Sequence, residues 1–272
     1  MPGKYYEYYQ QVGDRMAPYL AGRRVSIESR YPGSPRIVFR RHPSGGDTTQ
    51  WIFIDEPEEL VDWVRQFAEG FHGHIRAEDG SAWFVIDIDA RNLPLEMARL
   101  GAAYATEVLT EQGLTPLITF SGSGGFHLML NVPDSKELSN EELWELEQRM
   151  VGAVACQVER RLEDDAASAP IREAVGPEKS LITTSSADRE NREPLLFDQF
   201  ILKDNAPFRA PFSVHPKSGL VTVPLTLDQL TDFDPGTATP ERVARSWPAL
   251  AIPDYSLSQV RAAIAAWQTD GC

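Results

Sequence analysis

Short apolar blocks of changing period run along this chain, and their order is the first clue to its fold. WFVIDIDA (83–90) alternates with the two-residue period of a strand. LPLEMARLGAAYATEVLTEQG (93–113) changes to a helical period, with Pro94 in its first turn and Gly113 just past its end. TPLITF (115–120) and FHLMLNV (126–132) read as strands again, and SGSGG (121–125) between them predicts a hairpin. SNEELWELEQRMVGAVACQVERRLED (139–164) predicts a long helix capped by Ser139 or Asn140. After a polar stretch, PLLFDQFIL (194–202) reads as another strand.

The N-terminal pattern is less regular. Residues 1–20 predict a helix, 35–40 and 51–54 short strands, and EPEELVDWVRQFAEG (56–70) a helix from Pro57 to Gly70. These make an N-terminal α+β module over 1–80, packed on a core at 81–240, with a C-terminal tail at 241–272. The whole is expected to be one compact domain. No internal repeat or low-complexity segment appears.

The core order is β-α-β-β-α-β, the ferredoxin-like (RRM-like) arrangement of an α+β fold. There the first strand lies between the third and the last. Side chains alternate across a strand, so Asp87 and Asp89 share a face. His127 is out of phase with Phe126 and Leu128 and points to the open face, and Asp198 can do the same. Residues more than a hundred positions apart would then meet on one sheet surface.

Composition changes this picture in three places. No apolar run approaches the roughly 18 residues of a membrane span, and the polar, aromatic N-terminus is not a signal peptide, so the cytoplasm is the default location. Cys156 and Cys272 cannot supply a zinc set, and Cys156, in a helical pattern, is expected as a small core residue. The formal net charge of −14 argues against nucleic acid when taken alone. Yet Arg23, Arg24, Arg30, Arg36, Arg40 and Arg41 face one acid, Glu28, in residues 23–42. That segment is either a solvated loop balancing nearby acids or a local phosphate-binding patch.

Asp87, Asp89 and Asp198 are oxygen ligands of the kind that magnesium or manganese takes, together with substrate phosphates. A D-x-D pair also occurs in metal-dependent glycosyltransferases and at plain strand ends. SGSGG can present backbone N–H groups to an anion, or simply turn a hairpin. APFSVHPKSGLVTVPL (210–225) places Ser213, His215 and Lys217 in a polar turn. Phosphoryl transfer needs charge stabilisation more than covalent chemistry, so carboxylates with His, Lys and Arg around them suffice for nucleotidyl transfer.

On these motifs the chain resembles the archaeo-eukaryotic primase superfamily. FVIDIDA is similar to its h-D-h-D metal motif, SGSGGFHLML to its S-G-x-x-G-h-H motif, and LLFDQF to the strand with the third carboxylate. APFSVHPKSGLVTVPL, with DFDP at 232–235, resembles the catalytic subunit of eukaryotic primase. YYQQVGDRMAPYLAGRRVSI (8–27) and IVFRRHP (37–43) resemble the polymerase domain of bacterial end-joining ligases. The likeness covers most of residues 5–235.

The resemblance implies template-directed transfer from NTPs or dNTPs with two divalent ions, magnesium or manganese, and no zinc. It implies Asp87, Asp89 and Asp198 as catalytic metal ligands. Ser121, Ser123, His127, Arg209, His215 and Lys217 would bind the incoming nucleotide, with Arg41 where end-joining relatives carry a lysine. His72 or His74 matches a histidine before the first carboxylate strand. Arg189 and Arg192 fall in a stretch that contacts DNA in those relatives, and Arg23 and Arg24 in the basic patch are further DNA candidates. Ser123-Gly124 departs from the basic residues of related second motifs, so the triphosphate charge must be met elsewhere.

The expected activity is that of a primase-polymerase on a DNA template and primer, without a membrane, working with an accessory replication or repair protein. A gap-filling end-joining polymerase that does not prime is the alternative. A D-x-D glycosyltransferase and an inactive nucleic-acid-binding module are further ones. With no cysteines for a zinc knuckle and little sequence after the last motif, extension is expected to outrun priming.

Overall fold

The computed structural model describes residues 3–43, 48–185, 193–199 and 206–272. The chain opens with α1 (Tyr6–Met16) and a 3-10 turn at Ala17–Tyr19. Then come β1 (Arg23–Ser29), β2 (Val38–Arg40), α2 (Pro57–Arg65) and β3 (Ala68–Ala77). The core follows as β4 (Ala82–Asp89), α3 (Leu95–Glu111), β5 (Leu117–Phe120), β6 (Gly125–Val132), α4 (Asn140–Asp164), α5 (Ala169–Val175), β7 (Ile182–Thr183) and β8 (Leu195–Asp198). The chain continues with β9 (Pro207–Arg209), β10 (Val223–Leu225), α6 (Leu227–Thr231), α7 (Pro240–Ser246) and α8 (Leu257–Thr269).

The core pairs as β5-β6-β4-β8, all antiparallel, which is the ferredoxin-like order with β4 in the middle. The predicted hairpin and long helix form. Ser139 Oγ accepts from the N–H of Glu142 while the Glu142 carboxylate accepts from the N–H of Ser139, closing a capping box on α4. β10 extends the sheet beyond β5. On the other side β3 leaves β4 after a tight turn and pairs with β1 and β9. The sheet therefore splays at β4, with β8 along one stretch of its edge and β3 at its start.

Three expectations are corrected, and the tail, for which the sequence pattern predicts no elements, gains them. The helix drawn over 56–70 stops at Arg65. Residues 68–77 are a ten-residue strand, buried through its first eight positions. Arg23–Ser29 is also a strand, whereas 51–54 contributes only a bridge from Ile52 to Val25. The tail at 241–272 is helical, and α8 buries Leu257, Val260, Ala263, Ile264 and Trp267. Cys156 is half-buried and disulfide-bonded to Cys272, tying the segment after α8 back to α4. Residues of all three expected segments, such as Tyr9, Phe84 and Trp267, belong to one continuous hydrophobic core. Among the described residues no helix is long and apolar enough to cross a membrane.

Candidate active site

The carboxylates are placed by strand register. Asp87 of β4 stands directly opposite Asp198 of β8 on one side and opposite His127 of β6 on the other. Directly opposed residues of antiparallel strands share a face. Asp89 lies on that face two residues along β4, so the row His127–Asp87–Asp198 with Asp89 beside it is a property of the topology. Leu195 and Phe197 of β8 and Ile86 and Ile88 of β4 point the other way into the core.

Packing around the row is tight. Gly125 opens β6 beside the end of β4, and a Cβ there would come within 2.2 Å of the Ile88 carbonyl oxygen. A side chain at 125 would push β6 away and break the pairing of His127 with Asp87. His127 is buried, its ring 4.2 Å from that of Phe208 and its Nε2 3.5 Å from Asp87 Oδ1. Its Nδ1 is 3.2 Å from the Thr119 hydroxyl. Burial, with the charge of Arg209 and then His72, lowers the His127 pKa to about 3, so its imidazole is neutral. A neutral ring that accepts from Thr119 keeps its Nε2–H for Asp87.

Asp87 shows the opposite electrostatics. Burial first, then repulsion from Asp89 and Asp198, holds its carboxyl well above the usual range. A buried acid among like charges is in the state that a divalent cation would relieve. The donor set, carboxylate oxygens on a sheet face, suits magnesium or manganese. Among the described residues no three His, Cys, Asp or Glu side chains converge closely enough to enclose an ion by themselves.

The two turns expected to meet the nucleotide are fastened together. Ser121 Oγ accepts from the N–H groups of Ser123 and Gly125, shaping the SGSGG turn. Ser218 Oγ donates to the Gly122 carbonyl at 2.6 Å, and Thr222 Oγ1 donates to the Ser121 carbonyl at 3.1 Å. Gly122 has φ +85, and a Cβ there would sit 2.9 Å from the Cβ of His215. Below them Phe233 of the DFDP segment packs on Phe120 and Phe126 at 5.0 and 6.2 Å between ring centres. Ser121, Ser123, His127 and His215 are thus brought together at one end of the carboxylate row, with exposed Lys217 on the same turn. Ser213 is buried, and its Oγ accepts from the N–H of Phe71, a structural role.

The remaining candidates scatter. Arg209 is half-buried and joined to Glu28, the lone acid of the basic segment. His72 also reaches Glu28, whereas His74 bonds Ser26. Arg41 is exposed, 5.8 Å over the Phe39 ring, and Phe39 in turn packs on His72. Arg24 pairs with Glu78 at 2.7 Å and covers Trp51. Arg23 departs from the expected patch: it is buried over Trp83 at 3.8 Å and donates to the carbonyls of His74 and Ile75. Its guanidinium hydrogen-bonds groups inside the fold. Arg189 and Arg192 lie outside the described residues.

A ferredoxin-like sheet with a carboxylate row, capped by two interlocked polar turns, defines a primase-like architecture. The family model described as "LigD, primase-polymerase domain" matches residues 3–250, and the chain belongs to that family. The likeness to archaeo-eukaryotic primases read from the motifs therefore holds. The fold is similar to that of the polymerase domain from Mycobacterium tuberculosis ligase D, a structure solved in complex with DNA. The TM-score is 0.64 at 18% identity, covering 98% of this chain and 88% of that one. Among curated proteins none matches the chain.

Proposed function

We propose that this chain is a template-directed nucleotidyltransferase that adds NTPs or dNTPs to a DNA 3′-hydroxyl in a gap or at a recessed end. The observation that carries the reading is the Asp87–Asp198 pair facing across β4 and β8, with Asp89 on the same face. Asp87, Asp89 and Asp198 would hold two divalent cations, whose shells substrate phosphates and water would complete. Such ions, when bound, activate the attacking hydroxyl and neutralise the departing pyrophosphate. In the transfer the 3′-oxygen bonds to the α-phosphorus and the α–β anhydride bond breaks. Ser121, Ser123 and His127, with His215 and Lys217 from the other turn, would bind the triphosphate. Arg209 would add the cationic charge that Ser123-Gly124 does not supply. Arg24 and Arg41 would meet DNA phosphates.

Primer extension and gap filling, compared with dinucleotide synthesis on an unprimed template, test the reading. Extension in magnesium or manganese that vanishes in folded Asp89→Ala supports it, and incorporation at the wild-type rate by that variant overturns it. Extension is expected to exceed dinucleotide synthesis by far. Robust unaided synthesis of short primers in magnesium would move the assignment to a primase.

A further inference from the structure

Between the nucleotide-binding turn and the N-terminal strands lies a buried charged network that the proposed chemistry leaves unused. Glu28 of β1 places Oε2 2.8 Å from Arg209 Nη1 and 3.1 Å from His72 Nε2. The Glu28 and Arg209 side chains are 15% and 11% exposed. The same Arg209 nitrogen donates to the Val214 carbonyl at 3.0 Å, at the start of the HPKSG turn. Gly70 gives the network its space: a Cβ there would lie 2.6 Å from Glu28 Oε2, 2.8 Å from Arg209 Nη1 and 2.9 Å from the Val214 oxygen. Arg30 braces the same turn, bonding Glu69 at 3.2 Å and the Pro216 carbonyl at 2.9 Å.

A buried ion pair returns little net stability, because each partner gives up its water, but it fixes geometry. Arginine offers a planar fork of five donors. Here one nitrogen is shared between Glu28 and Val214. The other nitrogens of the fork make no hydrogen bond among the described residues, and none is a sealed donor. The cation lies within electrostatic range of His127, His72 and His215, whose pKa values it helps to lower. Left unclamped, so long a side chain would sample many rotamers, and ordering it on binding would weaken nucleotide affinity.

We propose that Glu28 is a positioning residue for the triphosphate site: it clamps one nitrogen of Arg209 and the imidazole of His72, so that the open edge of Arg209 meets the triphosphate of the incoming nucleotide. The proposal rests on the nucleotidyl-transfer reading above. Glu28 itself touches neither nucleotide nor ion. Its effect passes through Arg209, so the two residues act as one unit.

Steady-state extension of a primer-template with varied nucleotide tests this, alongside equilibrium titration of each protein with a fluorescent ribonucleoside triphosphate and thermal melting. Folded Glu28→Ala should raise the KM for nucleotide by about tenfold with kcat within about twofold. Glu28→Gln, whose amide oxygen still accepts from Arg209, should recover most of that loss. Adding Glu28→Ala to Arg209→Ala should raise the KM for nucleotide no further, because the cation that Glu28 positions is already gone and its contact with His72 does not reach the triphosphate. Arg209→Lys keeps the charge but not the fork, and should behave like Glu28→Ala even if the latter fails to fold. Unchanged or lowered KM in folded Glu28→Ala, multiplied effects in the double variant, or a wild-type KM in Arg209→Lys would each overturn the proposal. Wild-type protein that binds the triphosphate but incorporates nothing would sink the catalytic reading alone. The clamp would then be judged by the same variants in the titration, and wild-type protein that binds no triphosphate would overturn both.

Discussion

Asp87 and Glu28 are both largely buried carboxylates on antiparallel strands of one splayed sheet, and their surroundings drive them in opposite directions. At Asp87 burial raises the pKa, and Asp89 and Asp198 raise it further. At Glu28 burial also raises it, but the hydrogen bond with His72 and the charge of Arg209 win, and the pKa falls to about 2. Burial is common to the two sites, so the neighbours decide the outcome. The β4–β8 face gathers like charge and gives up stability for it, as sites built to bind an ion do. The β1–β3–β9 face pairs its charges internally and spends them on geometry.

The largest expected effect comes from removing the charge at Asp87. A carboxyl whose folded pKa is raised favours folding only while protonated, so its stabilisation fades as pH rises above the unfolded value of 3.8. At neutral pH Asp87 therefore weakens the fold, and Asp87→Asn should melt higher than wild type in the absence of metal while losing incorporation altogether. Magnesium or manganese should raise the melting temperature of wild type and leave that of Asp87→Asn nearly still. An Asp87→Asn protein that melts lower than wild type without metal would show that the row is not held against repulsion.

Glu28 should give the mirror image. Its folded pKa is depressed from 4.5 to about 2, so it stabilises the protein above pH 4.5, and that contribution is lost as pH falls through 2. The shift favours the charged over the protonated carboxyl by about 3 kcal/mol, which sets how stability changes with pH and not the net worth of the ion pair. Denaturant unfolding between pH 5 and 3 checks it: Glu28→Gln should lose stability less steeply than wild type. Equal slopes would mean that the pair carries no such energy.

How much of this was legible in the sequence follows the same division. The carboxylate row could be read because its parts are local patterns: D-x-D in an alternating strand, a glycine-rich turn, a capped helix. The β-α-β-β-α-β order then supplied the long-range pairing of Asp87 with Asp198. The Glu28 network could not be read this way. β1 begins with two arginines, and only the structure shows Arg23 folded over Trp83. β3 carries two glycines and two histidines directly after a helix, so AEGFHGHIRA passes for a helix end. With both strands hidden, nothing in the sequence brings Glu28, His72 and Arg209 together across more than 130 positions. The partner of Cys156 was equally silent, since one disulfide has no spacing pattern to announce it.

His74 offers a finer test of the paired face. It is buried, its Nε2 3.0 Å from the Ser26 hydroxyl and its Nδ1 without a partner among the described residues. Burial, then the charges of Arg41 and Arg24, lower its pKa to about 4. Below pH 6.5 the unfolded chain takes up a proton that the folded one refuses, so stability falls from pH 6.5 down to about 4 and is unaffected above. His74→Gln should flatten that part of the curve by up to about 3 kcal/mol. A variant with the wild-type slope would place the pH response elsewhere.

The smallest expected effect lies where the two turns meet at the end of the carboxylate row. Ser218 and Thr222 each donate one hydroxyl across the junction, to the carbonyls of Gly122 and Ser121. A neutral hydrogen bond of this kind contributes about 1 kcal/mol net. Ser218→Ala and Thr222→Val should therefore each lower stability by about that amount, and the double variant by about the sum, since neither hydroxyl bonds the other. Nucleotide binding should respond differently. Either latch alone keeps the turns in register beside His215, so the single variants should change the KM for nucleotide by no more than about twofold, and the double variant by more than the product of the singles. That pattern, additive in stability and synergistic in KM, is what two parallel fasteners on one joint produce. If instead each single variant raised KM as much as the double did, both bonds would be needed at once and the joint would be a single cooperative unit.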